Sequence, residues 1–149
     1  MNRIVIVLVA ALAAICATAC TSSHDSRQPT PVSADEAARF GGVTLPPGAE
    51  VLGASTDGAI DTRYELALRV TAAQLRELLA KSHFATPVTS SEYGKDLEVV
   101  GGPPLSSATD LRYAQDRVDT VDHEGVTREL FEDRRSADEI YVHLFMFTT

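Results

Sequence analysis

One stretch of this chain alternates apolar and polar side chains, and the stretch right after it repeats its apolar positions with a helical period. Tyr64, Leu66, Leu68 and Val70 interleave with Arg63, Glu65, Ala67 and Arg69, the pattern of a strand with one buried and one wet face. Next, Leu75, Leu78 and Leu79 fall on one stripe while Arg76, Glu77 and Lys81 lie outside it, which predicts a helix. Thr71 is placed to cap that helix, Gln74 to complete a capping box and Val70 to staple onto Leu75. Pro87 prevents its continuation.

The C-terminal pattern predicts two further strands, at 126–132 and 139–148, joined by the polar loop 133–138. In the last of them Ile140, Val142, Leu144 and Met146 occupy one face. Tyr141, His143, Phe145 and Phe147 occupy the other. Such a strand needs cover on both sides. Near the start of the domain, Ser33 and Glu36 form a second capping-box pattern, and Gly41-Gly42 ends the short helix it opens. A brief strand at 50–54 lies between turn signals at Leu45-Pro46-Pro47-Gly48 and Ser55-Thr56-Asp57-Gly58.

Residues 86–122 show no sustained period. Ser90, Ser91, Gly94, Gly101, Gly102, Pro103 and Pro104 interrupt everything except a short strand at 97–100. From Leu111, helical spacing (Leu111, Ala114, Val118) competes with strand alternation (Leu111, Tyr113), and the segment is undecided. The expected fold is therefore α+β: an antiparallel sheet of four to five strands, one main helix packed on a face, and one or two short helices.

Ahead of this domain the pattern changes. Arg3 precedes an apolar run over 4–15, and the small residues Ala17, Thr18 and Ala19 follow before Cys20, the order of a secretory signal. The run is short against the roughly 20 apolar residues a bilayer span requires. The segment resembles the precursors of bacterial lipoproteins, in which the cysteine at the first mature position is acylated on its thiol and the leader is cut just before it. The resemblance implies cleavage between Ala19 and Cys20 and a palmitate-type acyl anchor on Cys20. Cys16, preceded by the bulky Ile15, does not fit that pattern. The implied organisation is a signal peptide at 1–19, a lipidated flexible tether at 20–32, and one small domain at 33–149. That domain would sit on the extracytoplasmic face of the cell membrane, held there through the lipid on Cys20.

Charge narrows the partners. The chain carries 13 Lys and Arg against 21 Asp and Glu, a net −8, and all of these except Arg3 lie beyond Cys20. No basic patch larger than Arg134-Arg135 is present, so nucleic acid is not an expected partner. With Cys20 consumed by lipid and Cys16 in the leader, no disulfide is available to the domain, and packing must stabilise it.

Candidate chemistry is sparse. His123 sits beside Asp122 and Glu124, and His143 lies mid-strand among aromatic residues, but no ligand spacing of His-x-x-x-His or Cys-x-x-Cys type is present. Asp116, Asp119, Asp122 and Glu124 invite a calcium reading. Aligning Gly125 with the glycine of a calcium loop then puts Thr120 at the first ligand and Phe131 where the bidentate glutamate belongs. Ser90, Ser91, Ser106 and Ser107 stand in neither a Gly-x-Ser-x-Gly elbow nor a Ser-x-x-Lys pair. No metal or cofactor is expected. The sequence favours a non-enzymatic binding domain whose partner is an envelope protein or a small apolar ligand, with the stripe Tyr141, Phe145 and Phe147 as the candidate binding residues. The alternative is a small envelope hydrolase using His123 or His143 with nearby carboxylates.

Overall fold

The computed structural model of the protein describes residues 29–58 and 61–148. The leader, Cys20 and most of the tether lie outside them. The elements run β1 (Thr30–Pro31), α1 (Ala34–Phe40), β2 (Glu50–Gly58), β3 (Thr62–Val70), α2 (Ala72–Lys81), β4 (Thr89–Ser90), β5 (Leu111–Val118), β6 (Val126–Arg134) and β7 (Ile140–Phe147). All seven strands join one sheet in the order β1-β2-β3-β7-β6-β5-β4, with every neighbouring pair antiparallel.

This is a β-rich fold, which corrects the α+β expectation of four to five strands with one main helix. The short strand expected at 97–100 is irregular chain, and three features hid the added strands and the full length of β2. β5 is a strand although Asp116 stands on its helix side, because Asp116 pairs across the ladder with Arg128 and the two charges neutralise each other. β2 runs on through Ser55-Thr56-Asp57, where pairing with Glu65, Tyr64 and Arg63 of β3 overrides the local turn preference. The two edge strands are only two residues long, too short to carry a period. β1 also falls inside the stretch read as tether.

β7 lies between β3 and β6, and layers packed on both sides of the sheet account for the apolar character of its two faces. Both helices cover the face formed by the even-numbered side chains of β3, β6 and β7. Ala37, Ala38 and Phe40 of α1 and Leu75 and Leu78 of α2 pack there with Leu66, Leu68, Leu130, Val142, Leu144 and Met146. Helix α2 is held at its entry by the capping box of Thr71 and Gln74.

The helices end over a buried cation. The Arg128 side chain, fully buried, donates from Nε and Nη2 to the Asp116 carboxylate at 2.8 and 2.6 Å. Its Nη1 donates to the carbonyls of Gly41 at 3.3 Å and Ser82 at 2.9 Å, the C-caps of α1 and α2. Helix C-termini present unpaired carbonyls and the negative end of the helix dipole, so one guanidinium satisfies both ends together. It also lies over the Phe84 ring at 4.1 Å.

The opposite face is covered by irregular chain. Leu105 and Ala108, with Leu97 and Val99, pack over Leu111, Phe131 and Phe145. This segment approaches the sheet at backbone distance: a β-carbon on Gly53 would collide with the Val100 carbonyl, and one on Gly101 with the Leu52 carbonyl. Gly94, at φ 89°, sits directly against the Phe131 ring.

Candidate ligand-binding site

The strand registers arrange the odd-numbered side chains of the covered face in rows across the sheet. One row reads Tyr113, Phe131, His143, Ala67, Gly53 and lies under the irregular segment. The next reads Gln115, Glu129, Phe145, Glu65, Ser55, and the last Arg117, Thr127, Phe147, Arg63, Asp57. The cover buries Phe145 in the second of these rows and stops short of Phe147 in the last. A cleft of about 490 Å³ opens there, lined by Asp57, Asp61, Arg63, Tyr93, Leu97, Glu129, Phe145, Phe147 and Thr148.

Glu129 organises one wall. Tyr113 donates its hydroxyl to Glu129 Oε1 at 2.9 Å and Tyr93 does so at 3.4 Å, and the two tyrosine rings meet edge to face with centroids 5.0 Å apart. The charge of Glu129, followed by burial, raises the pKa of Tyr93. For Tyr113 burial leads, reinforced by the hydrogen bond to Glu129. Both hydroxyls therefore remain protonated donors at neutral pH. On the other side of Phe145, Arg63 Nη2 meets Glu65 Oε1 at 3.0 Å and the guanidinium lies 4.9 Å from the Phe145 ring centroid. Burial raises the pKa of Glu65, partly offset by the charge of Arg63.

Of the stripe singled out from sequence, Tyr141, Phe145 and Phe147 do share a face, yet they do not form one exposed patch. Phe145 is 2% exposed beneath the covering segment. Phe147 is half-buried and lines the cleft. Tyr141 stands at the far end of the strand, where its hydroxyl donates to Glu139 at 2.7 Å and Arg135 lies over its ring.

The two histidines are on opposite sides of the sheet. His143 is 2% exposed between Ala67 and Phe131, neither ring nitrogen has a hydrogen-bond partner, and burial pushes its pKa down to about 4. His123 stacks on Phe40 of α1 with centroids 4.8 Å apart. The acidic run is likewise dispersed: Asp116 pairs with Arg128, Asp119 accepts from the Gly125 amide at 2.8 Å, and Asp122 lies 3.7 Å from Arg39. Ser107 donates to the Pro104 carbonyl and accepts from Arg135. Among the described residues no group of three His, Cys, Asp or Glu side chains is placed to hold a metal ion.

Tyr93, Tyr113, Glu129 and Arg63 were not foreseen as site residues. Arg63 and Glu129 occupy the positions of an alternating strand that a one-sided sheet leaves to solvent, and Tyr93 lies in a segment without period. The signal available was that the odd-numbered face of β7 is apolar while its neighbours on β3 are charged.

No protein-family model, no curated protein and no solved structure matches the chain. Among the described residues no helix is long and apolar enough to cross a membrane.

Proposed function

We propose that the protein is an extracytoplasmic lipoprotein, anchored through Cys20, whose domain binds a ligand without transforming it, and that the cleft beside Glu129 is the binding site. The observation that carries this reading is the partial cover of one sheet face: the irregular segment seals the row of Tyr113, Phe131 and His143, reaches over Phe145 in the next, and leaves the end of the face at Phe147, Arg63 and Asp57 open as a concave, aromatic and charged surface. A few placed polar groups over an apolar floor are the usual make-up of a ligand site. The placement of the histidines supports binding over hydrolysis, since a general base needs a group within hydrogen-bond reach and neither ring has a carboxylate orienting it.

The entry of the chain sets where such an anchor would act. Thr30 pairs with Thr56, so the chain preceding it leaves the domain at the end of the sheet that carries Asp57 and the cleft. Nine residues separate Cys20 from Thr30, and the ten extended steps between them reach at most about 35 Å. An anchored Cys20 would hold the cleft end of the sheet nearest the bilayer.

Two measurements test the parts separately. The native chain should fractionate with membranes and carry acyl mass, and Cys20→Ala should appear in the soluble fraction; native protein found soluble and unmodified would remove the anchor. A photo-crosslinking residue at Tyr93 should capture ligand in intact envelopes in amounts that one at Arg76, on the outer side of α2, does not. Equal yields at both positions would remove the cleft as the site.

A further inference from the structure

Among the described residues the open part of the cleft carries more acid than base, and its base is engaged in part, the buried Nε of Arg63 having no hydrogen-bond partner. Arg63, the cation among the lining residues, gives Nη2 to Glu65 and lies across Phe145. Asp57, Asp61 and Glu129 line the same space, and among the described residues none of the three has a salt-bridge partner. Glu129 takes hydroxyl donors on Oε1 alone. Beside these carboxylates stand exposed aromatic surfaces: Tyr93, 55% exposed, and the half-buried Phe147, with Leu97 completing an apolar wall.

Each class of ligand meets this surface differently. An anion is opposed by three carboxylates. A wholly apolar ligand would strip water from those carboxylates and return nothing, at a cost that burial of a charge makes large. A cation on an apolar body satisfies both halves: the carboxylates supply charge, the ring faces attract the cation through their quadrupoles, and Leu97 and Phe147 cover its carbon skeleton. From this complementarity, and on the reading that the cleft is a binding site, we infer that its ligand carries an organic ammonium group. The group belongs either to a free amine or to the headgroup of a zwitterionic lipid.

The test uses the full chain carrying Cys20→Ala in nonionic detergent, with tetramethylammonium, benzoate and cyclohexanol as probes and amide NMR shifts as readout. Tetramethylammonium should bind saturably, shift Tyr93, Glu129 and Phe147, and weaken with added salt. Glu129→Gln and Asp57→Asn, two variants that keep side-chain shape, should each weaken it by about tenfold, while Glu77→Gln on α2 leaves it unchanged. Binding of tetramethylammonium that both cleft variants leave intact overturns the assignment. So does saturable binding of benzoate or cyclohexanol at these residues with none of the ammonium; the cleft then stands as a binding site for another class. If no probe shifts these residues, the assignment and the binding reading fall together. Phosphatidylcholine vesicles and free choline, compared at equal headgroup concentration, then separate the two sources, and preferential binding of either one supports the ammonium assignment.

Discussion

Arg128 is the residue whose surroundings most constrain the fold. Its guanidinium is wholly enclosed, and it is shared between Asp116 and the terminal carbonyls of both helices. Removing it leaves a nearly buried carboxylate and two helix ends unpaired, so Arg128→Ala should cost about 3–5 kcal/mol of stability, read from chemical denaturation. A loss below about 1 kcal/mol would mean that water replaces the guanidinium and that the pair does not join the helices to the sheet. His143 leads to a second prediction. Its pKa in the fold is about 4 against an ordinary 6.5, so between these values the unfolded chain binds a proton that the folded one refuses. Stability is fully present above pH 6.5 and declines as the pH falls toward 4, by on the order of 3 kcal/mol. Glu65, raised by burial, works in the opposite sense, losing its contribution as the pH rises. The comparison with His143→Leu isolates the histidine: the variant should show a flatter profile between pH 6.5 and 4, at no cost in stability at pH 7, since the native nitrogens have no partners to lose. An unchanged profile would show that the ring reaches water.

The segment over the second face is the element on which the cleft depends. It has little regular structure and is held by Leu105 and Ala108 in an apolar cluster and by close backbone approach at Gly53 and Gly101. Gly53→Val should lift it, because the new side chain and the Val100 carbonyl cannot occupy one place. Hydrogen exchange should then accelerate at Leu105 and Ala108 while Leu68 and Leu144 at the centre of the sheet stay protected. Uniform acceleration would instead show that cover and sheet unfold as one unit. Helix α2 is anchored differently, by local chemistry. Thr71→Ala removes the hydroxyl that accepts from the Gln74 amide and should cost about 1 kcal/mol, measurable by thermal unfolding.

At the scale of the molecule, the sheet has two unlike ends. One carries the β6–β7 turn, where Arg134 and Arg135 each pair with a buried carboxylate. The other carries the chain entry at Thr30, the cleft and the β5–β6 loop with Val121, which is 99% exposed. A strand of nine residues separates the ends by about 30 Å. If Cys20 is acylated, relaxation from a paramagnetic label at the bilayer surface should be stronger at Val121 and Thr148 than at Ser136 and Ala137. The reverse order would place the cleft away from the membrane and contradict the orientation argued from Thr30.

What could be read from sequence was whatever rests on neighbouring residues. The β3 alternation, the capping box of α2 and the two-sided apolar pattern of β7 each express a local period or a contact within four residues, and the structure contains all three. The lipoprotein-like leader is also read from local order, and it lies outside the described residues. The seven-strand count was not local. Asp116 in β5 and Arg128 in β6 neutralise each other, a pairing that joins two elements and exists only once the ladder has formed. The cleft depended on tertiary structure still more completely. Glu129, Phe145 and Glu65 stand in one row only because β7 inserts between β3 and β6, and Tyr93 reaches that row only because an irregular segment folds over the sheet. Local order set the chain's period and caps, whereas register and cover, which depend on contacts distant in sequence, decided where a ligand can sit.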